Sequence, residues 1–275
     1  MHVSVKARFF IICLIFSLCS NFALASRKET CLIITDTGKV LYQNNAKSIR
    51  YPASLTKMMT IYLVFDALKN NRITMDSKIV LSKRAAAMPQ MKLGIGRGAR
   101  ITVKDAILSL IIRSSNDIAV ALAENISGTE EQFAVEMNRT AQRLGMTNTR
   151  FTNASGWHHN HQVTTAYDMA KLAIALKRDF EEFYHLFARS SFYYKDTFYK
   201  SHNYVVHHLD GAEGLKTGYT SKAGWNIVTA AKRDNVRLIG VILGGKTPME
   251  RDVKMMRLMN DHFQGITNVG IKGGV

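Results

Sequence analysis

Three short stretches carry side chains whose types and spacing can do chemistry. In "YPASLTKMMT" (51–60), Ser54 stands three residues before Lys57 at the opening of an apolar run. On a helix these two positions share a face, and burying a hydroxyl and an amine there without partners is costly. A desolvated lysine is an effective base for a serine nucleophile, and N–H groups at a helix start can help hold an oxyanion. Taken alone, the pair also reads as an early-turn hydroxyl beside a snorkelling surface lysine. In "SSN" (114–116), Ser114 and Asn116 are either site residues or caps where one helix ends and the next begins. In "KTG" (216–218), Lys216, Thr217 and Gly218 lie on a β-rich run, as site residues or as a surface lysine before a turn. Each stretch is unspecific by itself; their order is the informative feature.

Such residues need elements to position them. "TCLIITDTGKVLYQNN" (30–45) predicts a hairpin turning at Asp36-Thr37-Gly38. The Ser54–Lys57 helix places Met58, Ile61, Tyr62, Phe65 and Leu68 at intervals of three and four. A glycine-rich stretch (88–100) reads as a loop. Thr102 with Asp105, and Thr165 with Asp168, have capping-box spacing for the helices that follow. Further helices are expected from 116 to 124 and from 128 to 144. Beyond Asp210 the pattern changes to strand, turn, strand, turn, strand (211–245), with turns at 221–224 and 233–235. A last helix after Pro248 is expected to carry Val253, Met256 and Met259 on one side. Strands at both ends with helices between predict an α+β fold, the terminal strands pairing into one antiparallel sheet beside a mainly helical lobe at about 70–165.

Composition narrows the setting. A basic start (Lys6, Arg8), the apolar run "FFIICLIFSLC" (9–19) and the small residues Ala23 and Ala25 read as a secretory signal over 1–25. The domain is then expected over 26–275, exported to the periplasm or cell envelope. With Cys13 and Cys19 in that leader, Cys31 alone remains, which excludes an intrachain disulfide and a cysteine metal cluster. The 37 Lys and Arg against 21 Asp and Glu, a formal net charge of +16, favour anionic surroundings. Export argues against nucleic acid, leaving a basic surface suited to peripheral contact with an anionic envelope.

Three other patterns invite different functions. "GVILGGKT" (240–247) matches the P-loop spelling letter for letter. Its central Val241, Ile242 and Leu243 read as strand, and too little chain follows to build a parallel sheet, so no nucleotide is expected. "WHHNH" (157–161) lacks an acidic or cysteine partner at zinc spacing, so no metal is expected there. "FYYKDTFYKSHNY" (192–204) interleaves aromatics with lysines as single-strand binders do. In an exported chain it reads instead as strand packing or as groove contacts to sugar and peptide.

Ser-x-x-Lys, Ser-x-Asn and Lys-Thr-Gly, in that order, are the motifs of penicillin-binding proteins and related β-lactamases. With "SSNDIAVALAE", "FTNASGW", "TTAYDMAKLA" and the block from Asp210 to Gly245, the sequence resembles the D-alanyl-D-alanine carboxypeptidases, the low-molecular-mass penicillin-binding proteins, across nearly its whole length. The resemblance implies a β-lactamase/transpeptidase-like fold, a peptidoglycan pentapeptide substrate, β-lactam antibiotics as covalent inhibitors, and no cofactor. It implies Ser54 as nucleophile, Lys57 as its base with Lys216 as the neighbouring cation, and Ser114 relaying the proton to the leaving amine. Asn116 would orient Lys57 and the substrate amide. Lys216 and Thr217 would hold the terminal carboxylate with help from Arg251, and Gly218 would admit the substrate backbone. The N–H groups of Ser54 and Tyr219 would form the oxyanion hole. An endopeptidase using the same residues, or a catalytically weak penicillin-binding scaffold, stay open as alternatives. Ala154, Ser155, Gly156 and Trp157 stand where the family often has Pro-His-Gly-Leu. Ser-Ser-Asn departs from the β-lactamase Ser-Asp-Asn, and no Glu-x-x-x-Asn supplies a deacylating glutamate. The tail "ITNVGIKGGV" matches neither the β-rich domain nor the amphipathic helix of many relatives, so no C-terminal anchor is expected.

Overall fold

A computed structural model describes the backbone of residues 28–272 and the side chains of residues 28–266. The leader read over 1–25 lies outside the described residues. β1 (Thr30–Thr35) and β2 (Val40–Asn44) form the expected hairpin, reversed at Gly38, whose φ of +89° is one that glycine adopts without strain. After a 3-10 turn at Ala53–Thr56 the chain enters α1 (Lys57–Lys69). Every residue from Met58 to Phe65 is buried. The stripe read from the sequence lies inside, and so does everything between it, because a helix apolar all round belongs in the interior.

A ribbon of β3 (Lys78–Val80) and β4 (Arg100–Thr102) brackets α2 (Lys83–Ala86) and the glycine-rich loop. α3 (Val103–Leu108) starts where the Thr102 hydroxyl accepts the Asp105 N–H at 3.0 Å. The Asp105 carboxylate accepts from that hydroxyl at 2.7 Å. A π turn (Ser109–Arg113) then widens the helix and delivers Ser114 at φ 61°, ψ 37° ahead of α4 (Asn116–Ser127). α5 (Glu130–Arg143) and α6 (Ala166–Asp179) follow, capped by Thr129 and Thr165. α7 (Glu181–Tyr184) and a 3-10 turn (His185–Ala188) lead to the hairpin of β5 (Ser191–Tyr194) and β6 (Thr197–Lys200), then to α8 (Tyr204–His208).

β7 (Ala212–Thr220), β8 (Gly224–Arg233) and β9 (Val236–Gly245) complete the main sheet, whose order is β2-β1-β9-β8-β7 with every neighbouring pair antiparallel. Early and late strands meet there, Thr30 opposite Leu243 and Thr35 opposite Leu238. β9 is buried from Leu238 to Leu243, the continuous apolar run of a strand covered on both faces. One face sets Ile33, Leu238 and Ile242 against α9 (Pro248–Lys272); the other sets Leu32, Ile239 and Val241 against the core around α1 and α6. Each large apolar side chain so buried contributes roughly 1.5–3 kcal/mol. β7 is left as an edge.

The periodicity of the last helix misleads. α9 turns Met255, Leu258, Met259 and Phe263 to the sheet, whereas Val253 is exposed and Met256 half-buried. The face that Val253 would share is not the buried one: Arg251 and Asp252, a charged pair, lie inside at the start of the helix. The backbone also stays helical through Lys272, into the tail that read as no amphipathic helix. Gly265 and Gly270 weaken its intrinsic propensity, but a helix already nucleated by packing propagates at little cost.

Candidate active site

The 3-10 turn carrying Ser54 is clamped from three sides. Asn226 of β8 donates from Nδ2 to the carbonyls of Tyr51 (2.9 Å) and Pro52 (3.1 Å), and its Oδ1 accepts the Gly244 N–H at 2.8 Å. A Cβ on Gly156 would lie 2.0 Å from Ala53 O, and the φ of Gly156 is +82°. A Cβ on Gly218 would lie 3.0 Å from the backbone nitrogen of Ser54 and 3.2 Å from that of Leu55. The resemblance gave Gly218 to substrate approach; here its bare Cα lets β7 close on the nucleophile turn itself.

Lys57 opens α1 directly behind Ser54 and is fully buried. Its Nζ lies 3.1 Å from Ser54 Oγ, 2.7 Å from Asn116 Oδ1 and 2.5 Å from the carbonyl of Ser155. Burial holds the amine well below the usual lysine range, and the charge of Lys216 lowers it further against the opposing pull of Asp117. A neutral amine has two N–H bonds and one lone pair. Asn116 Oδ1 and Ser155 O can only accept, so they take the two hydrogens. The lone pair is then turned to the Ser54 hydroxyl, the arrangement a general base requires.

Helix α4 organises the opposite wall. Its first residue, Asn116, donates from Nδ2 to Gln90 O at 2.9 Å and from its backbone N–H to Met91 O at 2.7 Å. Asp117 accepts the N–H groups of Leu93 (3.0 Å) and Gly94 (2.8 Å). Together they pin the glycine-rich loop, where Gln90 and Met91 take positive φ. Ser114 Oγ is buried with no hydrogen-bond partner among the described residues. Across a cleft of about 440 Å³, lined by Ser54, Ser114, Lys216, Thr217, Gly218 and Tyr219 among others, lies a chain of basic groups. Lys216 is pushed down to about 7 by burial and by Arg251. Arg251 is itself lowered by burial, although Asp252 holds it at 2.7 Å. The Arg251 guanidinium lies over Trp225 at 5.9 Å, and Trp225 stacks on Tyr219 at 4.0 Å.

Residues 22–247 match the family model described as D-alanyl-D-alanine carboxypeptidase. The chain belongs to that family. It is 36% identical over 245 residues to the D-alanyl-D-alanine carboxypeptidase DacF of Bacillus subtilis, an alignment covering 86% of this chain and 62% of the relative. The chain thus spans about three-fifths of that relative's length. Its fold superposes on penicillin-binding protein 5 of Haemophilus influenzae with a TM-score of 0.82 at 32% identity, covering 88% of this chain and 71% of the other. It also superposes on penicillin-binding protein D2 of Listeria monocytogenes, solved in an ampicillin-bound form, at 0.77 and 28% identity, with 88% and 98% covered.

Within this carboxypeptidase-family fold, all nine residues named from the sequence lie in or against the cleft. Ser155, Asp117, Asn226, Trp225 and Asp252 were missed. Ser155 acts through its carbonyl, which no residue type announces. The others support neighbours rather than forming a motif; only the blocks around Asp117, Trp225 and Asn226 were visible, and Asp252 lies in none. The P-loop spelling is the central strand β9. The ring of His158 in the histidine-rich loop packs edge-on to Tyr51 at 5.1 Å. The aromatic–lysine stretch folds as the β5–β6 hairpin, with Phe192 stacked on Tyr199 at 5.2 Å. No helix among the described residues is long and apolar enough to cross a membrane.

Proposed function

We propose that this protein is a serine DD-carboxypeptidase that removes the terminal D-alanine from peptidoglycan stem peptides through an acyl-enzyme and is trapped by β-lactams. The observation that carries the reading is Lys57: a buried amine within hydrogen-bond reach of two carbonyl oxygens and of Ser54 Oγ, so that its neutral form spends both hydrogens on the carbonyls and turns its lone pair to Ser54. Ser54 Oγ attacks the carbonyl between the two D-alanines and Lys57 takes the hydroxyl proton. The N–H groups of Ser54 and Tyr219 receive the developing oxyanion. As the C–N bond breaks, the proton passes through Ser114 to the departing amine. Water then attacks the Ser54 ester, and the shortened peptide leaves.

Lys216, Thr217 and Arg251 supply the preference for a peptide end. Arg251 already has a carboxylate partner in Asp252, whereas Lys216 donates to the Thr217 carbonyl at 3.0 Å and has no ion pair among the described residues. A substrate carboxylate placed there draws Lys216 back to its charged form, so the anion is recognised by the proton it recruits. The N-terminal leader and the excess of basic residues support an exported protein working against the anionic envelope.

The test is mass spectrometry of muropeptides incubated with the protein, with Ser54→Ala as the blank. Loss of one alanine from pentapeptides, with cross-linked dimers intact, is the expected result. Conversion of dimers to monomers would make the enzyme an endopeptidase. If neither substrate changes, the hydrolase reading fails and a penicillin-binding scaffold takes its place.

A further inference from the structure

Asn203 occupies the N-cap position of α8 but makes no side-chain cap there. Asparagine at such a position ordinarily accepts an N–H from the first turn, so the absence of that bond means the side chain is turned elsewhere. It is 6% exposed, its Oδ1 is buried without a hydrogen-bond partner among the described residues, and it lines the cleft with Ser114, His202 and Lys216. A buried amide oxygen left out of the protein's own hydrogen bonding is destabilising, and buried polar side chains are ordinarily paired. This amide therefore belongs to something that enters the cleft.

Its place along the cleft follows from β7. Gly218 is against the Ser54 nitrogen, and Lys216 lies two residues, about 7 Å, before it along the strand. The 201–203 segment is at the Lys216 end, where burial, and then the charges of Arg113 and Lys216, oppose protonation of His202. Arg113 Nη1 approaches His202 Nε2 at 3.5 Å, closing the rim.

We infer that Asn203 is a substrate-binding residue for the amino acid that departs, its Oδ1 accepting from the N–H of the terminal D-residue whose carboxylate is held by the Lys216–Thr217 pair. The inference rests on the peptidase reading above. In acylation the Ser54 Oγ–carbon bond forms, the carbon–nitrogen bond breaks, and the amine leaves with a proton. The acyl-enzyme that remains has nothing at that end. Asn203 therefore acts on acylation by peptides and not on hydrolysis of the ester.

Two substrates with one acyl group separate these effects: diacetyl-L-lysyl-D-alanyl-D-alanine, and the ethyl thioester of diacetyl-L-lysyl-D-alanine, whose leaving group has neither carboxylate nor amide. Both give the same acyl-enzyme. For Asn203→Ala and Asn203→Ser, kcat/KM on the peptide is expected to fall about 5- to 10-fold, the scale for losing a neutral hydrogen bond from the scissile N–H to Oδ1. The thioester value should stay within about 3-fold of the parent, on the same principle of a contact not made. Thioester turnover doubles as the check on folding. An unchanged peptide rate, or equal losses on both substrates, overturns the assignment while leaving the peptidase reading standing. A parent protein inert to both substrates would bring down that reading and the inference with it.

Discussion

Asn116 faces Lys57 with its amide oxygen, 2.7 Å from Nζ, because its Nδ2 is committed to the Gln90 carbonyl at 2.9 Å. One side chain thus fixes both the wall of the cleft and which orbital of the lysine is left for Ser54. An uncharged acceptor at this point is a chemical requirement: a carboxylate there would favour the ammonium.

Asn116→Asp should therefore raise the Lys57 pKa and move the acid limb of the acylation profile to higher pH. Near neutrality acylation should fall about 10- to 100-fold, since the neutral fraction drops about tenfold for every pH unit by which the limb moves. Penicillin acylation rates measured from pH 5 to 10 test this. A variant whose profile is merely scaled down, with the limb unmoved, would contradict it.

Lys57→Ala should reduce acylation by about 10²–10⁴-fold, the range for losing a general base. Its thermal stability near pH 7 should not fall in proportion, because the amine is desolvated and makes no ion pair among the described residues. Acylation by Lys57→Ala within about 10-fold of the parent would remove the lysine from the base role.

The pH dependence of folding has a definite sign. Lys216 titrates at about 7 in the fold and at the ordinary lysine value, 10.5, when unfolded. Between these values the unfolded chain holds a proton that the folded chain lacks. Raising the pH through this window stabilises the protein, by at most about 1.4 kcal/mol per pH unit for this group. Below about 7 both states are protonated and the contribution is flat. Urea unfolding at pH 7.5 and 9.5 should show a gain in the parent that is smaller in Lys216→Met; equal gains would contradict the burial argument.

Two glycines separate support from chemistry. Gly156→Ala places a methyl 2.0 Å from a carbonyl oxygen at positive φ, and should destabilise the fold by about 1–3 kcal/mol or more, read as a lower melting temperature. Gly218→Ala presses on Ser54 and Leu55 at 3.0 and 3.2 Å, a contact that small shifts relieve. It should lose acylation out of proportion to stability, and a variant that acylates normally would show that β7 need not close so tightly.

Much of this was legible in residue order. Ser54, Lys57, Ser114, Asn116 and Lys216 were visible because nucleophile, base and cation demand particular side chains, and motifs preserve side-chain type. The sheet could be foreseen because β1 and β9 are apolar runs and clear turns separate β7, β8 and β9. Ser155 could not be foreseen, since a carbonyl belongs to every residue. The buried face of α9 was obscured by Arg251 and Asp252, which the interior accepts only as a pair serving the cleft. Asn203 lay in the 192–204 stretch read as strand packing or groove contacts, but nothing in its residue type set it apart there; its significance lies in the capping bond it does not make.

The most direct test of the account is the pH dependence of penicillin acylation, with the modified residue located by peptide mass spectrometry. The expected result is a single adduct on Ser54, absent from Ser54→Ala, and a rate sustained well below pH 10.5 because burial holds Lys57 below the ordinary lysine range. An adduct on another residue, or a rate that rises only as the pH approaches that of an ordinary lysine, would contradict it.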